Sequence, residues 1–222
     1  MQSKYDFLIV GAGLFGAVAA HELAERGKRV LVVDKRRHTG GNLYCRHAEG
    51  LPVHTYGAHI FHTDKPEIWD YACKLGKMNH FINSPLARFG DRLYNLPFNM
   101  NTIHSLFGVV TPEEARERIS AEIAADILKN SSGNAPRNLE EQALRRCGRT
   151  IYETLIKGYT EKQWGKPATE LPAFIIRRVP MRFTYNNNYF DDPFQGIPEG
   201  GYNGWFDRLL EKVDVRLGTD FQ

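Results

Sequence analysis

Cysteine is scarce in this sequence, with three residues in 222: Cys45, Cys73 and Cys147. They are odd in number, far apart and without metal-ligand spacing. Neither a disulfide framework nor a metal centre is therefore expected, and reduced, mostly buried thiols fit a reducing compartment. Long apolar runs are also missing. None approaches the roughly 18 residues of a membrane-spanning helix, and Lys4 leads straight into YDFLIV without the segments of a secretory leader. A cytoplasmic protein with no membrane insertion is expected. Nor is there an excess of one charge. The 29 Lys plus Arg nearly balance 26 Asp plus Glu, leaving +3, which argues against nucleic acid or a membrane surface as partner and leaves small acidic ligands open. Repeats and low-complexity tracts are absent, and 222 residues suffice for one large domain or two interleaved ones.

Glycine, in contrast, is concentrated where backbone must approach a ligand. The stretch YDFLIVGAGLFGAVAAHELAERGKRVLVVDKRRHTGGN reads as a short apolar strand, a glycine turn, a helix ending at Gly27 and a second strand closing on an acid. Gly11 permits the sharp turn, Gly13 lets backbone approach a pyrophosphate, and Gly16 lets the helix pack on the strand. The helix N-terminus offers N–H groups and positive dipole to phosphates. Asp34, 18 residues beyond Gly16, is placed to accept from a ribose diol. A turn that only joined strand to helix would not need all three glycines and the acid. A second close-approach site follows at Gly40, Gly41 and Asn42, which a nicotinamide-type fingerprint does not require, and the arrangement resembles FAD-binding enzymes of the amine oxidase and glutathione reductase type. Arg36 and Arg37 raise the alternative of a 2′-phosphate and NADP, but Asp34 would repel that phosphate, so both are read as solvated charges.

Beyond residue 50, GLPVHTYGAHIFHTD alternates as a strand, turn and strand would, DKPEIWDYACKLG reads as a short helix, and MNHFINSPLARFGDRLYNLPFN is strand-like with a hairpin at FGDRLY. From residue 100 the period becomes helical. Thr111, Pro112 and Glu114 start an amphipathic helix with Ala115, Ile119, Ile123 and Ile127 on one face. Asn138 with Glu141 starts a second helix, and Thr150 with Glu153 a third after Gly148 ends the second. RFTYNNNYFDD returns to strand character, and NGWFDRLLEKVDVRLG reads as a helix feeding one more strand of the first sheet. The predicted architecture is α/β. A discontinuous Rossmann-like FAD-binding domain (1–80 and 199–222) carries a small antiparallel sheet beginning at 81–99, a helical insert over 100–166, and sheet with a mobile substrate loop over 167–198.

The stretch KGYTEKQWGKP, residues 157–167, gathers Tyr159, Thr160, Gln163 and Trp164 at a helix end, where Tyr and Trp by themselves read as packing residues with a polar tip. KGYTEKQWG resembles a signature of the UDP-galactopyranose mutase family. The glycine fingerprint, GGN, GAHIFHT, LPA, RFTYNNNYF and FQGIP resemble that family in the same order, over essentially the whole chain. Ala58 stands where the family often has Pro, and Leu155 with Ile156 where it often has an aromatic pair. The family's chains are considerably longer, so the resemblance is to an N-terminal part, and distal residues would supply further substrate and flavin contacts.

The resemblance implies an isomerase interconverting UDP-galactopyranose and UDP-galactofuranose for cell-wall polysaccharide. Reduced FAD would attack the anomeric carbon through N5, with no net redox change. It implies cofactor contacts from Gly11, Gly13, Phe15, Gly16, Asp34, Lys35, Gly41, Asn42, His59 and Ile60, with His59 near the isoalloxazine. For the substrate it implies Tyr159 as an aromatic face for uridine, Thr160 near the ribose, Trp164 bordering the pocket, Tyr185 near the sugar, Asn83 in the pocket, and Arg178 and Tyr189 as donors to the leaving diphosphate. Arg178 and His59 are the catalytic candidates, and the oligomeric state is left open, a homodimer among the alternatives. Blander readings stay open: Arg177, Arg178 and Arg182 as a solvated basic cluster, His59 and His62 as structural histidines, and Asn83 as a turn residue before Pro85. A flavin oxidoreductase of the amine oxidase type and a non-catalytic FAD-binding fragment also remain. The segment LPAFIIRRVP, bracketed by prolines, is expected to be a loop that closes over the ligand, and the chain as given is expected to turn over little substrate.

Overall fold

The computed structural model describes residues 4–130, 135–178 and 181–221, apart from the side chains of residues 129, 130, 177 and 178. It divides into two compact units, Met1–Ile82 with Asp192–Gln222, and Asn83–Asp191. The first opens as the sequence predicts. Strand β1 (Phe7–Val10) leads through the glycine turn into helix α1 (Leu14–Glu25), and β2 (Val30–Asp34) lies parallel to β1 with Phe7 opposite Val30 and Val10 opposite Val33. The two strands expected after residue 50 exist but do not pair with each other. β4 (Leu51–His54) pairs antiparallel with β3 (Cys45–Ala48), which its sequence does not announce, and β5 (Phe61–Thr63) waits for a partner far along the chain. Helix α2 (Pro66–Leu75) has proline at its first position, where the missing N–H costs nothing.

In the second unit, β6 (Leu86–Phe89) and β7 (Arg92–Asn95) form the predicted hairpin. Helix α3 (Met100–Phe107) starts at Asn99, whose side chain accepts from Thr102 N while Thr102 Oγ1 accepts from Asn99 N. In α4 (Pro112–Asn130) the predicted capping box is present, Glu114 N donating to Thr111 Oγ1 at 3.2 Å and Thr111 N to Glu114 Oε2 at 3.1 Å. Asn138 caps α5 (Leu139–Ile151) through Glu141 N at 2.9 Å.

Three expectations fail in this unit. Gly148 does break the helical backbone, with φ 78°, but no Thr150–Glu153 box restarts it. Instead Glu122 of α4 accepts from Thr150 N at 2.9 Å and Thr150 Oγ1 at 2.7 Å, because α4 packs along α5 and brings a carboxylate to the orphaned amide. A Cβ at position 148 would lie 2.9 Å from that same carboxylate, so glycine is required there. The chain continues through a π-helical turn, Tyr152–Ile156, into α6 (Lys157–Trp164), which Gly165 closes at φ 64°. Second, Ala173–Arg178 is a 3-10 helix rather than a loop. Pro172 directly before it is compatible with a helix start, so a proline bracket does not imply irregular chain. Third, RFTYNNNYFDD is not a strand. Among the described residues the nearest pairing is a bridge from Met181, just before the segment, to Phe98, and side chains take the carbonyls of Tyr185, Asn186, Asn188 and Tyr189, as described below.

The chain then returns to the first unit. β8 (Phe194–Gly196) is the antiparallel partner of β5. Helix α7 (Asn203–Leu209) feeds β9 (Asp214–Leu217), which lies parallel beside β2 in the order β1-β2-β9. Each unit has its own core. The first centres on Ala17, Ala20, Val32, Tyr202, Trp205 and Phe206, the second on Met100, Ile103, Leu139, Ile151 and Tyr152. Each large side chain buried there contributes about 1.5–3 kcal/mol. The fold is α/β, a Rossmann-like unit with a helical module and a small antiparallel hairpin inserted in the chain.

Candidate functional site

In the first unit the candidate site is made of backbone. Gly11 adopts φ 105°, and a Cβ on Gly16 would stand 2.0 Å from Gly11 O, so the turn closes only with glycine at 16. Gly40 N donates to Ala12 O at 2.8 Å, which brings the second glycine turn against the first. A Cβ on Gly41 would come within 3.1 Å of Gly13 Cα. The surface is bare backbone at the N-terminus of α1, whose first amides have no intrahelical acceptor and whose dipole favours anions.

Asp34 also does something its sequence position did not announce. Its Oδ2 accepts from Ala12 N at 2.7 Å and its Oδ1 from Arg36 N at 2.8 Å, so the carboxylate holds the glycine turn from below. Arg36 is not simply solvated: its guanidinium lies 4.7 Å over the Tyr56 ring and donates to Asn42 Oδ1 at 3.0 Å, while Arg37, Lys35 and Asn42 are exposed. Phe15 is 90% exposed.

His59 and Ile60 are half-buried. His59 Nδ1 donates to Gly57 O at 2.8 Å, which leaves Nε2 as the acceptor nitrogen of the ring. The His59 backbone is held on both sides, its N–H by His54 Nδ1 at 3.0 Å and its carbonyl by Tyr202 Oη at 3.0 Å. Accepting that bond requires neutral His54, and burial together with neighbouring His59 pushes the His54 pKa below its ordinary value. His62 is paired with Asp192.

The second unit holds a cavity of about 770 Å³ lined by five of the sequence candidates, Asn83, Tyr159, Thr160, Trp164 and Tyr189, together with Gln163. Helix α6 supplies four of these six because residues 159, 160, 163 and 164 share a face at i, i+3 and i+4 spacing. Thr160 is buried, whereas Tyr159 and Trp164 remain exposed. The other wall is β6, including Arg88 and Phe89, which sequence reasoning passed over. Among the described lining residues Arg88 carries the only formal charge, and no carboxylate is present, so the lining suits an anionic ligand.

One candidate is not brought to this cavity. Tyr185 lies outside its lining, with its hydroxyl donating to Val110 O at 2.6 Å. The side chain of Arg178 lies outside the described residues. Arg182, read from sequence as one of a solvated cluster, is instead engaged by the backbone around Tyr189, with its guanidinium 2.9 Å from Asp191. Cys45 and Cys147 are buried and Cys73 exposed, and burial pushes the Cys147 thiol up to about 12, where it is inert. Among the described residues no helix is long and apolar enough to cross a membrane.

Residues 9–75 match a family model described as an NAD(P)-binding Rossmann-like domain, and residues 154–222 match one described as UDP-galactopyranose mutase. The chain resembles the N-terminal part of a UDP-galactopyranose mutase. It is 40% identical over 221 residues to a Klebsiella pneumoniae protein described as "Probable UDP-galactopyranose mutase", covering 97% of this chain and 56% of the relative. It is 39% identical over 213 residues to the dTDP-fucopyranose mutase of Escherichia coli, covering 95% and 55%. The chain thus spans about half the length of the curated relatives it matches. A crystal structure of reduced UDP-galactopyranose mutase superposes with a TM-score of 0.68 at 22% identity, covering 99% of this chain and 50% of that one, a likeness of fold.

Proposed function

We propose that this chain forms the FAD-binding and nucleotide-sugar-binding part of an enzyme that interconverts UDP-galactopyranose and UDP-galactofuranose without net redox change. The observation that carries the reading is the single cavity lined by Asn83, Tyr159, Thr160, Trp164 and Tyr189, candidates drawn from three separate stretches of sequence. The residues of the first unit fit FAD: two abutting glycine turns, the α1 N-terminus for a pyrophosphate, the Asp34 carboxylate for a ribose and exposed Phe15 for a ring. Gly11, Gly13, Gly16, Lys35, Gly41, Asn42 and Ile60 complete that contact set. When bound and reduced, FAD supplies the nucleophilic N5 for the anomeric carbon.

The protein's own residues bind and orient. His59, its Nε2 free to accept while its backbone is fixed by His54 and Tyr202, serves the flavin ring. Tyr159 offers an aromatic face to the base, Thr160 a hydroxyl to the ribose and Trp164 a wall to the sugar. Tyr189 and Arg178 donate to the diphosphate as it leaves, where a cation is most useful because charge builds up there. Asn83 completes the pocket, whereas Tyr185, its hydroxyl engaged by Val110 O, takes no part in it. A soluble cytoplasmic location and a homodimer go with this reading.

A dTDP-hexopyranose is the second reading, favoured by the nearly equal identity to the dTDP-fucopyranose mutase. Titration with UDP and dTDP, following tryptophan fluorescence, tests both. UDP is expected to change the signal, Trp164→Phe to abolish the change, and Tyr159→Ala to weaken binding about tenfold or more, the effect of losing one base–aromatic stack. Stronger binding of dTDP selects the second reading. Binding of neither nucleotide overturns both.

A further inference from the structure

The segment 181–191 carries Tyr189 into the cavity without forming a strand, and apart from Thr184 O, which accepts from Met100 N at 2.9 Å, its bonded carbonyls are held by side chains. Asn101 Nδ2 donates to Tyr185 O at 3.2 Å and Asn99 Nδ2 to Asn186 O at 2.9 Å. Arg182 Nη1 then donates to Asn188 O at 2.5 Å and Nη2 to Tyr189 O at 3.0 Å. Its own backbone is anchored in turn, Arg182 N donating to Phe98 O at 2.7 Å. The Arg182 side chain is only 15% exposed. This is not the setting of a solvated surface charge.

We propose that Arg182 is the positioning residue for Tyr189, which rests on the reading of this cavity as a nucleotide-sugar site. The carbonyls of Asn188 and Tyr189 belong to the two peptide planes that flank the Tyr189 Cα. One rigid guanidinium gripping both fixes φ and ψ at that residue, and with them the direction of its Cα–Cβ bond. The remaining backbone group of Tyr189, its N–H, donates to Asn83 O at 2.8 Å. Arg182 therefore sets two lining residues at once, Tyr189 through its peptides and Asn83 through the bond that Tyr189 makes to it. A lysine has the charge but no planar fork, and its single ammonium cannot hold both carbonyls in fixed relation.

The test compares Arg182→Lys with the parent chain in two measurements. Without ligand, amide hydrogen exchange at Tyr189 is expected to accelerate about tenfold while amides of α4 and α5 keep their protection. With UDP, Arg182→Lys is expected to weaken binding about tenfold, the scale of a lost hydrogen bond to a charged group. The loss caused by Tyr189→Phe should largely vanish in the Arg182→Lys background, since a misaimed ring has no hydroxyl contact to lose. A general structural role would instead leave the two losses multiplicative. Unchanged exchange at Tyr189, or multiplicative losses, overturns the proposal. If the parent chain binds no nucleotide, the functional reading falls while the exchange measurement still decides whether Arg182 orders Tyr189. Arg182→Gln, which removes the charge and retains one donor group, repeats the exchange test should the lysine variant fold poorly.

Discussion

The two units build their candidate sites from different materials. In the first the surface at the α1 N-terminus is peptide backbone shaped by glycines, and the ties that shape it are near in sequence, Ala12 to Asp34 across 22 positions and Gly40 N to Ala12 O. In the second the surface is side chains, and what aims them comes from afar. Asn99 reaches Asn187 across 88 positions and Tyr185 reaches Val110 across 75. A backbone site tolerates almost any exposed side chain but no added Cβ at its tight points. A side-chain site tolerates many backbones but depends on each long-range hydrogen bond.

The sharpest way to break that contrast is at Gly16. Gly16→Val drives a Cβ into Gly11 O and is expected to cost the first unit about 3 kcal/mol, near the upper range for overpacking. Gly13→Val is its counterpart, because the atom nearest a Cβ at position 13 is Gly41 Cα at 3.9 Å, so the fold should survive while flavin occupancy is lost. Region-resolved hydrogen exchange with flavin absorbance checks both. Should Gly16→Val strip protection from α4 and α5 to the same degree, the units do not fold independently and the contrast dissolves.

A smaller effect is expected in the second unit from Glu122→Ala, which leaves Thr150 without an acceptor for its N–H and hydroxyl. The expected loss is about 1–3 kcal/mol, localised to the α5 break, with Glu122→Gln restoring part of it and flavin content unaffected. Urea midpoints monitored by exchange in α5 measure it.

The mildest test is of pH. The folded-state pKa of His54 lies below its ordinary value of 6.5, so the folded chain binds fewer protons there than the unfolded chain. The stability this contributes is present above pH 6.5 and is lost as pH falls through the depressed folded value. Acidification from neutral pH should therefore loosen the Gly57–Ile60 segment first, and His54→Gln should flatten that dependence. An equal loss in both units over this window would point away from His54.

The alternation and capping rules succeeded where a signal is local. FGDRLY made its hairpin, Asn138 and Thr111 capped their helices, and the glycine fingerprint formed the βαβ unit with β9 returning to it. They failed where a distant partner decided the outcome. Thr150 lost its capping role to Glu122 on another helix, and RFTYNNNYFDD, read as a strand, has asparagine and arginine side chains on four of its carbonyls in place of a neighbouring strand.

By itself the sequence determined the dinucleotide cradle, the helical module and the gathering of Tyr159, Thr160 and Trp164 on one face, since glycine sterics and the 3.6-residue period act within a few positions. Only the tertiary structure decided that β6 walls the same cavity, that Tyr185 turns to Val110 instead of into it, and that Arg182 serves the backbone at Tyr189. Those outcomes depend on which groups far apart in the chain are brought within hydrogen-bond reach. That reach is set by the packing of α3, α4 and α5 around one core, which no local pattern encodes.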